Sequence, residues 1–463
     1  MGYSRSIQLQ NGNFQLYANQ VIHSMIPSEV YDVANDQLQI PNQIFFSLTP
    51  DVHVNGNTCV GTTAVWDAAN GYISPSIVGT DIGCGIRVYL TTLHKQDLAD
   101  IRLKQKIIRA IEKFIPLTDQ IPSHYRSLSL SAILQHGLPA LSAKYRNKRS
   151  LSHVELSSSP VGVCVLSNIS EHMKKRAENQ LGTLGNGNHF IEIQSVTIPE
   201  ENKEIARLWG LFEGQVIFLI HTGSRAWGKA LAASYTEDFI SVMEKLKLPR
   251  TPSNLLYLPL SHPVGMKYFH MMSSALNYAI VNRHLIGFGI ENALKRIFGA
   301  KFQTHLLYDL MHNYALMETH QNQTYIVHRK GTTRALPALH PANPLIYNQT
   351  GHPALIPGSM GTPSYIMVGG SNGIENYYSI CHGAGRIFAN QTSCQQFELD
   401  GKSNTLIVDN NESVVLNRWT KERLWEESPA TYKEVNQVTN TIVGAKLASI
   451  VAKCIPLIVI KAR

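Results

Sequence analysis

Charge is scarce in this sequence. Only 16% of its 463 residues are Asp, Glu, Lys or Arg, and 44% are apolar; an average globular protein is about 25% charged. That balance excludes a disordered chain or a long charged coiled coil. No apolar run approaches the roughly 18 residues of a membrane span. The stretch from Met1 to Gln20 is polar and has no apolar signal core. The six cysteines, Cys59, Cys84, Cys164, Cys381, Cys394 and Cys454, are scattered, and no two show C-x-x-C spacing. In a chain this long they do not read as a disulfide framework. Together these absences point to a soluble protein of a reducing compartment, with the cytoplasm as the expected location and no membrane partner.

Other absences narrow the chemistry. There is no G-x-x-x-x-G-K-[ST] phosphate loop. Gly185-x-Gly187 is not followed by the rest of a dinucleotide fingerprint. No Lys-x-Asp-Gly occurs, so the lysine nucleophile of ordinary nucleotide-dependent ligases is missing. One G-x-S-x-G occurs at Gly369 to Gly373, but only Glu375 and His382 follow within reach, too cramped for a serine-hydrolase triad. Repeats, low-complexity tracts and clear linkers are also lacking.

Glycine, by contrast, is clustered. The clusters lie at 79–85, 182–187, 223–228, 351–361, 369–373 and 383–385. Several sit beside short apolar runs, such as Val216 to Ile220 before His221, and Tyr365 to Val368 before Gly369. Short apolar runs bounded by glycine read as buried strands ending in tight loops. Helical period appears in Ile101 to Phe114, and again over Tyr268 to Leu285 and Asp309 to Thr319. The expected fold is α+β, with strands delivering loops to a shared site.

Histidine is abundant, at 19. His189 and His221 border glycine clusters; His312 is expected on a helix; His382 precedes Gly383-Ala384-Gly385. Asp81-Ile82-Gly83-Cys84-Gly85 can turn a carboxylate and a thiolate to one side. Singly, each histidine reads as a cap or a core residue. Together, Asp81, Cys84, His189, His221 and His312 offer the common protein ligands for transition metals, and ligand softness alone leans to zinc. Pro357 to Thr362 is a loop whose backbone N–H groups can approach a phosphate. Arg225, Arg329, Lys330 and Arg386 are candidate phosphate holders; Lys144 to Arg149 reads as a solvated basic surface. The charge balance, 41 basic against 33 acidic side chains, is +8 and suits an anionic partner.

These segments, taken in order, resemble the RtcB family of RNA-splicing ligases. The resemblance rests on Pro50-Asp51-Val52-His53, Asp81 to Gly85, Gln180 to Gly185, Gly187 to Glu192, His221 to Arg225, Asn282-Arg283, His312-Asn313, His328 to Gly331, Pro357 to Thr362, His382 to Arg386 and Val459 to Lys461. It implies one domain over residues 1–463, built around a site for two manganese ions, with GTP as the nucleotide. Manganese then displaces zinc as the expected metal, since softness ranks affinity and not cellular supply. By motif, Asp81, Cys84 and His189 would hold one ion and Cys84, His221 and His312 the other. His382 would be the nucleophile that becomes guanylylated. Asn188, His189, Phe190, Ile191, Glu192, His312, Asn313, Pro357, Gly358, Ser359, Met360, Ser364, Gly383, Ala384, Gly385 and Lys461 would line the guanylate pocket.

The implied reaction joins an RNA 3′-phosphate or 2′,3′-cyclic phosphate end to a 5′-hydroxyl end, through histidine-GMP and a GMP-activated 3′ end. An activating protein partner is compatible with this. Departures from the family pattern fall at Asn186, Ala226-Trp227, Thr332, Asn390 and Ala462-Arg463. They keep a second reading open: a paralogue that caps RNA ends with guanylate, or opens cyclic phosphates, without joining. A third is a non-catalytic RNA-binding protein.

Overall fold

The computed structural model describes residues 2–145, 148–155, 169–387, 399–400, 405–407, 413–419, 424, 426 and 427–462. Helices and sheets are mixed along the chain, as expected for α+β. One sheet has six strands, ordered Ser4–Leu9, Gly12–Tyr17, Gln43–Asn55, Thr58–Asp67, Gln323–Lys330 and Asn313–His320. The larger sheet runs Thr304–Met311, Gly85–His94, Gln215–Thr222, Phe190–Thr197, Ala448–Ile460 and Ser413–Leu416, with two short strands beyond and a hairpin, Pro353–Ile356 with Ser364–Gly369, attached to Ala448–Ile460. The apolar runs Val216 to Ile220 and Tyr365 to Val368 are buried strands, as the glycine punctuation implies.

A 36-residue helix, Pro263–Phe298, crosses behind the larger sheet. The His262 ring caps its first turn by accepting from the Val264 N–H, and Pro263 supplies a preset φ where no N–H is needed. Its middle is buried on every side, which suits a central helix more than a surface one. Ile101–Phe114 packs against it through Ile107, Ile108 and Ile111. No helix among the described residues is long and apolar enough to cross a membrane.

One expectation is overturned. Residues 309–319 are not helical: Thr304–Met311 and Asn313–His320 are strands, and His312 lies between them. Thr304–Met311 is buried on both faces from Leu306 onward. Such a strand shows no polar alternation, so its apolar spacing mimics a helix.

Candidate active site

Sheet register brings the histidines together. Gly85 pairs with Thr222 and Met311, and His221 pairs with Phe190 and Ile86. Four neighbouring strands therefore reach the same sheet end, where Cys84, His189, His221 and His312 sit at or just beyond their tips. Asp81 arrives in the tight turn before Cys84, whose N–H bonds to the Asp81 carbonyl at 3.1 Å. The Asn313 side chain donates to that same carbonyl at 3.1 Å.

The long helix locks the loops from behind. Asn282 accepts from the Gly182 N–H at 2.7 Å and donates to the Thr183 and Gly223 carbonyls at 3.2 and 3.4 Å. Arg283 donates to the Gly83 and Thr222 carbonyls at 2.8 and 2.9 Å. Its charge meets Asp309 at 2.6 Å, and Arg87 reaches the same carboxylate at 2.8 Å; all three side chains are fully buried. Gly223 is required by close approach: a Cβ there would stand 2.4 Å from Asp81 Oδ1 and 3.0 Å from Cys84 Cα.

The result is two ligand groups sharing one sulfur. Asp81, Cys84 and His189 form one, and Cys84, His221 and His312 the other, each with donor atoms within 4.8 Å of one another. Asp81 Oδ2 is 2.8 Å from His189 Nε2, and Cys84 Sγ is 3.7 and 3.3 Å from the Nε2 atoms of His189 and His221. His189 is aimed by the Leu184 carbonyl, 3.1 Å from its Nδ1.

The donor set fits divalent cations. Burial, together with neighbouring histidines, drives the pKa of His221 and His312 well below the ordinary value, so both rings are neutral and offer lone pairs. Their Nε2 atoms face each other at 3.3 Å, and their Nδ1 atoms are buried without a partner among the described residues. Burial raises the Asp81 carboxyl, but His189 beside it outweighs that and holds the pKa at about 2, so the group is an anion. A cation between such groups gives lone pairs and carboxylate a common partner.

His382 completes the centre. Its ring centroid lies 4.5 Å from that of His312. Its Nδ1 is 2.8 Å from Oδ2 of Asp51, a fully buried carboxylate whose other oxygen accepts from Thr49 at 2.6 Å. Burial raises the Asp51 pKa, and the His382 and Thr49 bonds overcome it, so the net shift is downward and Asp51 stays an acceptor. Nδ1 therefore carries the proton, and the Nε2 lone pair is left for chemistry. Gly385 lets the loop press onto this pair; its φ is 76°, and a Cβ would fall 2.1 Å from the Asp51 carbonyl oxygen.

Two clefts meet at His382. The narrower lies against the loop from His382 to Arg386. It is lined by Asn188, Phe190, Glu192, Pro357 to Met360, Gly383 to Arg386, Trp419, Tyr432 and Lys461. Burial pushes Glu192 up to about 8, against the opposing pull of its Gln194 bond and Lys461. Lys461 and Arg386 both pair with Glu427, at 2.6 and 2.9 Å. The wider cleft, of about 810 Å³, opens from the ligand groups, and its walls carry Arg176, Arg225, Lys229 and Lys330 against Asp81 and Asp119.

Most residues named from the sequence reach these two clefts; His189, His312 and Asn313 border the wider one. Ile191 does not, because its side chain alternates into the core. Ser364 supports the cleft from behind, accepting from the Gly358 N–H at 3.2 Å. Arg329 is no phosphate holder: it is fully buried and ion-paired with Glu318 on the neighbouring strand. Trp227 is explained by packing, with its Nε1 donating to Ser274 on the long helix at 3.1 Å. Asn390 lies outside the described residues, as do Arg146 and Asn147 of the basic run 144–149. Sequence reasoning gave no role to Asp51, His53, Trp419, Glu427 or Tyr432. The motif Pro50-Asp51-Val52-His53 was the signal for the first two.

Such a fold and site define a mixed α and β protein with two ligand groups sharing one thiol, beside an imidazole held by a buried carboxylate. A model of the family described as tRNA-splicing ligase RtcB matches residues 38–462, and the chain belongs to that family. Curated relatives, each named tRNA-splicing ligase RtcB, agree. The Thermococcus kodakarensis protein is 33% identical over 96% of this chain and 94% of its own length. That of Aeropyrum pernix is 33% identical over 90% and 88%, and that of Pyrobaculum aerophilum 34% identical over 89% and 86%.

Proposed function

We propose that this protein is a GTP- and manganese-dependent RNA ligase. It joins a 3′-phosphate or 2′,3′-cyclic phosphate end to a 5′-hydroxyl end, working in the cytoplasm, with an activating protein partner compatible with its chemistry. The observation that carries this reading is the contact of the His382 ring with His312, a member of the paired ligand groups, at the junction of the two clefts.

Asp81, Cys84 and His189 would hold one manganese ion, and Cys84, His221 and His312 the other. When bound, the ions would offset charge building on phosphate oxygens. His382 Nε2 attacks the α-phosphorus of GTP, an N–P bond forms and pyrophosphate leaves. Asp51 keeps the ring in the required tautomer and steadies the positive charge it gains. The narrow cleft holds the guanylate. Lys461 suits the guanine O6, an acceptor, and an ionised Glu192 suits its N1–H and amino donors. The backbone of Pro357 to Met360 and of Gly383 to Gly385 would lie against the phosphate and ribose end. RNA enters the wider cleft, where Arg225, Lys330 and the neighbouring cations favour its phosphates. GMP passes from His382 to the RNA 3′-phosphate, and the 5′-hydroxyl then displaces it.

The test has two parts. The protein is incubated with α-labelled GTP across a metal series, and separately with RNA bearing a 2′,3′-cyclic phosphate and a 5′-hydroxyl. Covalent label that peaks with manganese, and joined RNA, support the ligase. Ends that are opened or capped but never joined would replace it with the non-joining reading.

A further inference from the structure

Four residues, His53, Asn188, His221 and His382, border both clefts. They frame the doorway between nucleotide and RNA, where the phosphorus bearing GMP must meet the incoming hydroxyl. Three have assignments: His382 is the nucleophile, His221 a cation ligand, and Asn188 an amide that does not titrate. His53 is the remaining ionisable group of the four.

His53 lies on the strand Gln43–Asn55, opposite Val60. Its Nδ1 is 2.9 Å from the Asp51 carbonyl oxygen. A carbonyl only accepts, so Nδ1 carries the hydrogen and the neutral ring keeps its lone pair on Nε2. Nε2 has no hydrogen-bond partner among the described residues. We propose that His53 is a catalytic base of the sealing step, taking the proton of the RNA 5′-hydroxyl onto Nε2 at the doorway between the clefts. The role rests on the ligase reading and extends it to a residue outside the nucleophile and cation set.

The atoms balance. The 5′-oxygen bonds to the RNA 3′-phosphorus, the P–O bond to GMP breaks, and GMP leaves with the electron pair. The proton passes from the hydroxyl to His53 and then to water in the wide cleft. Charged neighbours agree with this role. Burial chiefly, with Lys433 and His382, holds the His53 pKa at about 4, while Asp51 pulls it upward. The ring is therefore in its base form at neutral pH. Arriving RNA phosphates raise its proton affinity toward that of a working base.

The experiment uses RNA already carrying a guanylylated 3′-phosphate, so that sealing is measured apart from guanylylation. The full chain is compared with His53→Ala and His53→Gln in single turnovers. Sealing should fall at least ~100-fold further than GTP labelling of His382 does. The acid limb of the sealing pH profile should vanish in both variants, and added imidazole should restore part of the rate to His53→Ala. Labelling shows that each variant still builds the centre. Equal losses in sealing and labelling, or an unaltered pH limb, would overturn the proposal. If the unsubstituted chain labels with GTP but cannot seal this RNA, the ligase reading itself fails.

Discussion

Asp51 and His382 are 331 residues apart in sequence, yet Asp51 Oδ2 accepts from His382 Nδ1 at 2.8 Å, on a carboxylate with no exposed surface. This contact fixes which nitrogen keeps its lone pair. His382→Ala should lose covalent labelling by GTP altogether. Asp51→Asn should slow labelling by about 10²–10⁴-fold while nucleotide affinity changes little, because the amide can present its N–H and select the wrong tautomer. Rapid-quench labelling with a parallel binding isotherm separates the two effects.

A shared sulfur makes a stoichiometric prediction. Cys84 belongs to both ligand groups, His312 to one. Cys84→Ala should therefore lose tight manganese binding at both positions, whereas His312→Ala should retain one ion. Equilibrium dialysis with elemental analysis reads this directly. One ion retained in Cys84→Ala would show that the thiolate does not bridge.

Glu192 should make stability depend on pH. Its folded pKa is raised to about 8, while an unfolded glutamate titrates near 4.3. Between these values the folded chain holds a proton that the unfolded chain has released. Stability is thus highest below the unfolded value and declines as pH rises toward 8, by on the order of 4 kcal/mol. Glu192→Gln should flatten that decline in urea titrations run at pH 5 and pH 8. If guanine binding requires the carboxylate, GTP should also bind more tightly as pH approaches 8, with proton release visible by calorimetry in buffers of different ionisation enthalpy.

Asp309 should matter for folding more than for chemistry. It is the common partner of Arg87 and Arg283, and all three are fully buried. Asp309→Ala strands two guanidinium charges and should cost about 3–5 kcal/mol in denaturant unfolding. Since Arg283 also holds the Gly83 and Thr222 carbonyls, manganese affinity should fall in the same variant.

Much of this centre is readable in the sequence, for a physical reason. Its ligands sit at strand ends beside glycines, and tight turns leave that punctuation whatever the tertiary fold. The helix Ile101–Phe114 is equally readable, because one face packs and the other is wet. Segment 309–319 misleads because it joins the doubly buried end of one strand, Asp309 to Met311, to the start of the next across His312, so no single alternation runs through it. Arg329 misleads because its motif places it among cations, whereas it stands opposite Tyr314 and reaches along the neighbouring strand to Glu318. The pairing of Asp51 with His382 has no local signature: it joins a loop after Cys381 to a strand formed early in the chain. The proton held by Glu192 likewise depends on burial, which residue type alone does not reveal.

The strand Ala448–Ile460 pairs with Phe190–Thr197 and delivers Lys461 into the narrow cleft. A chain cut at residue 440 would keep the five proposed cation ligands and His382, but its larger sheet would lack an inner strand and its narrow cleft would lack Val459 and Lys461. Such a fragment should take up manganese yet fail to label with GTP, which would separate metal binding from guanylylation.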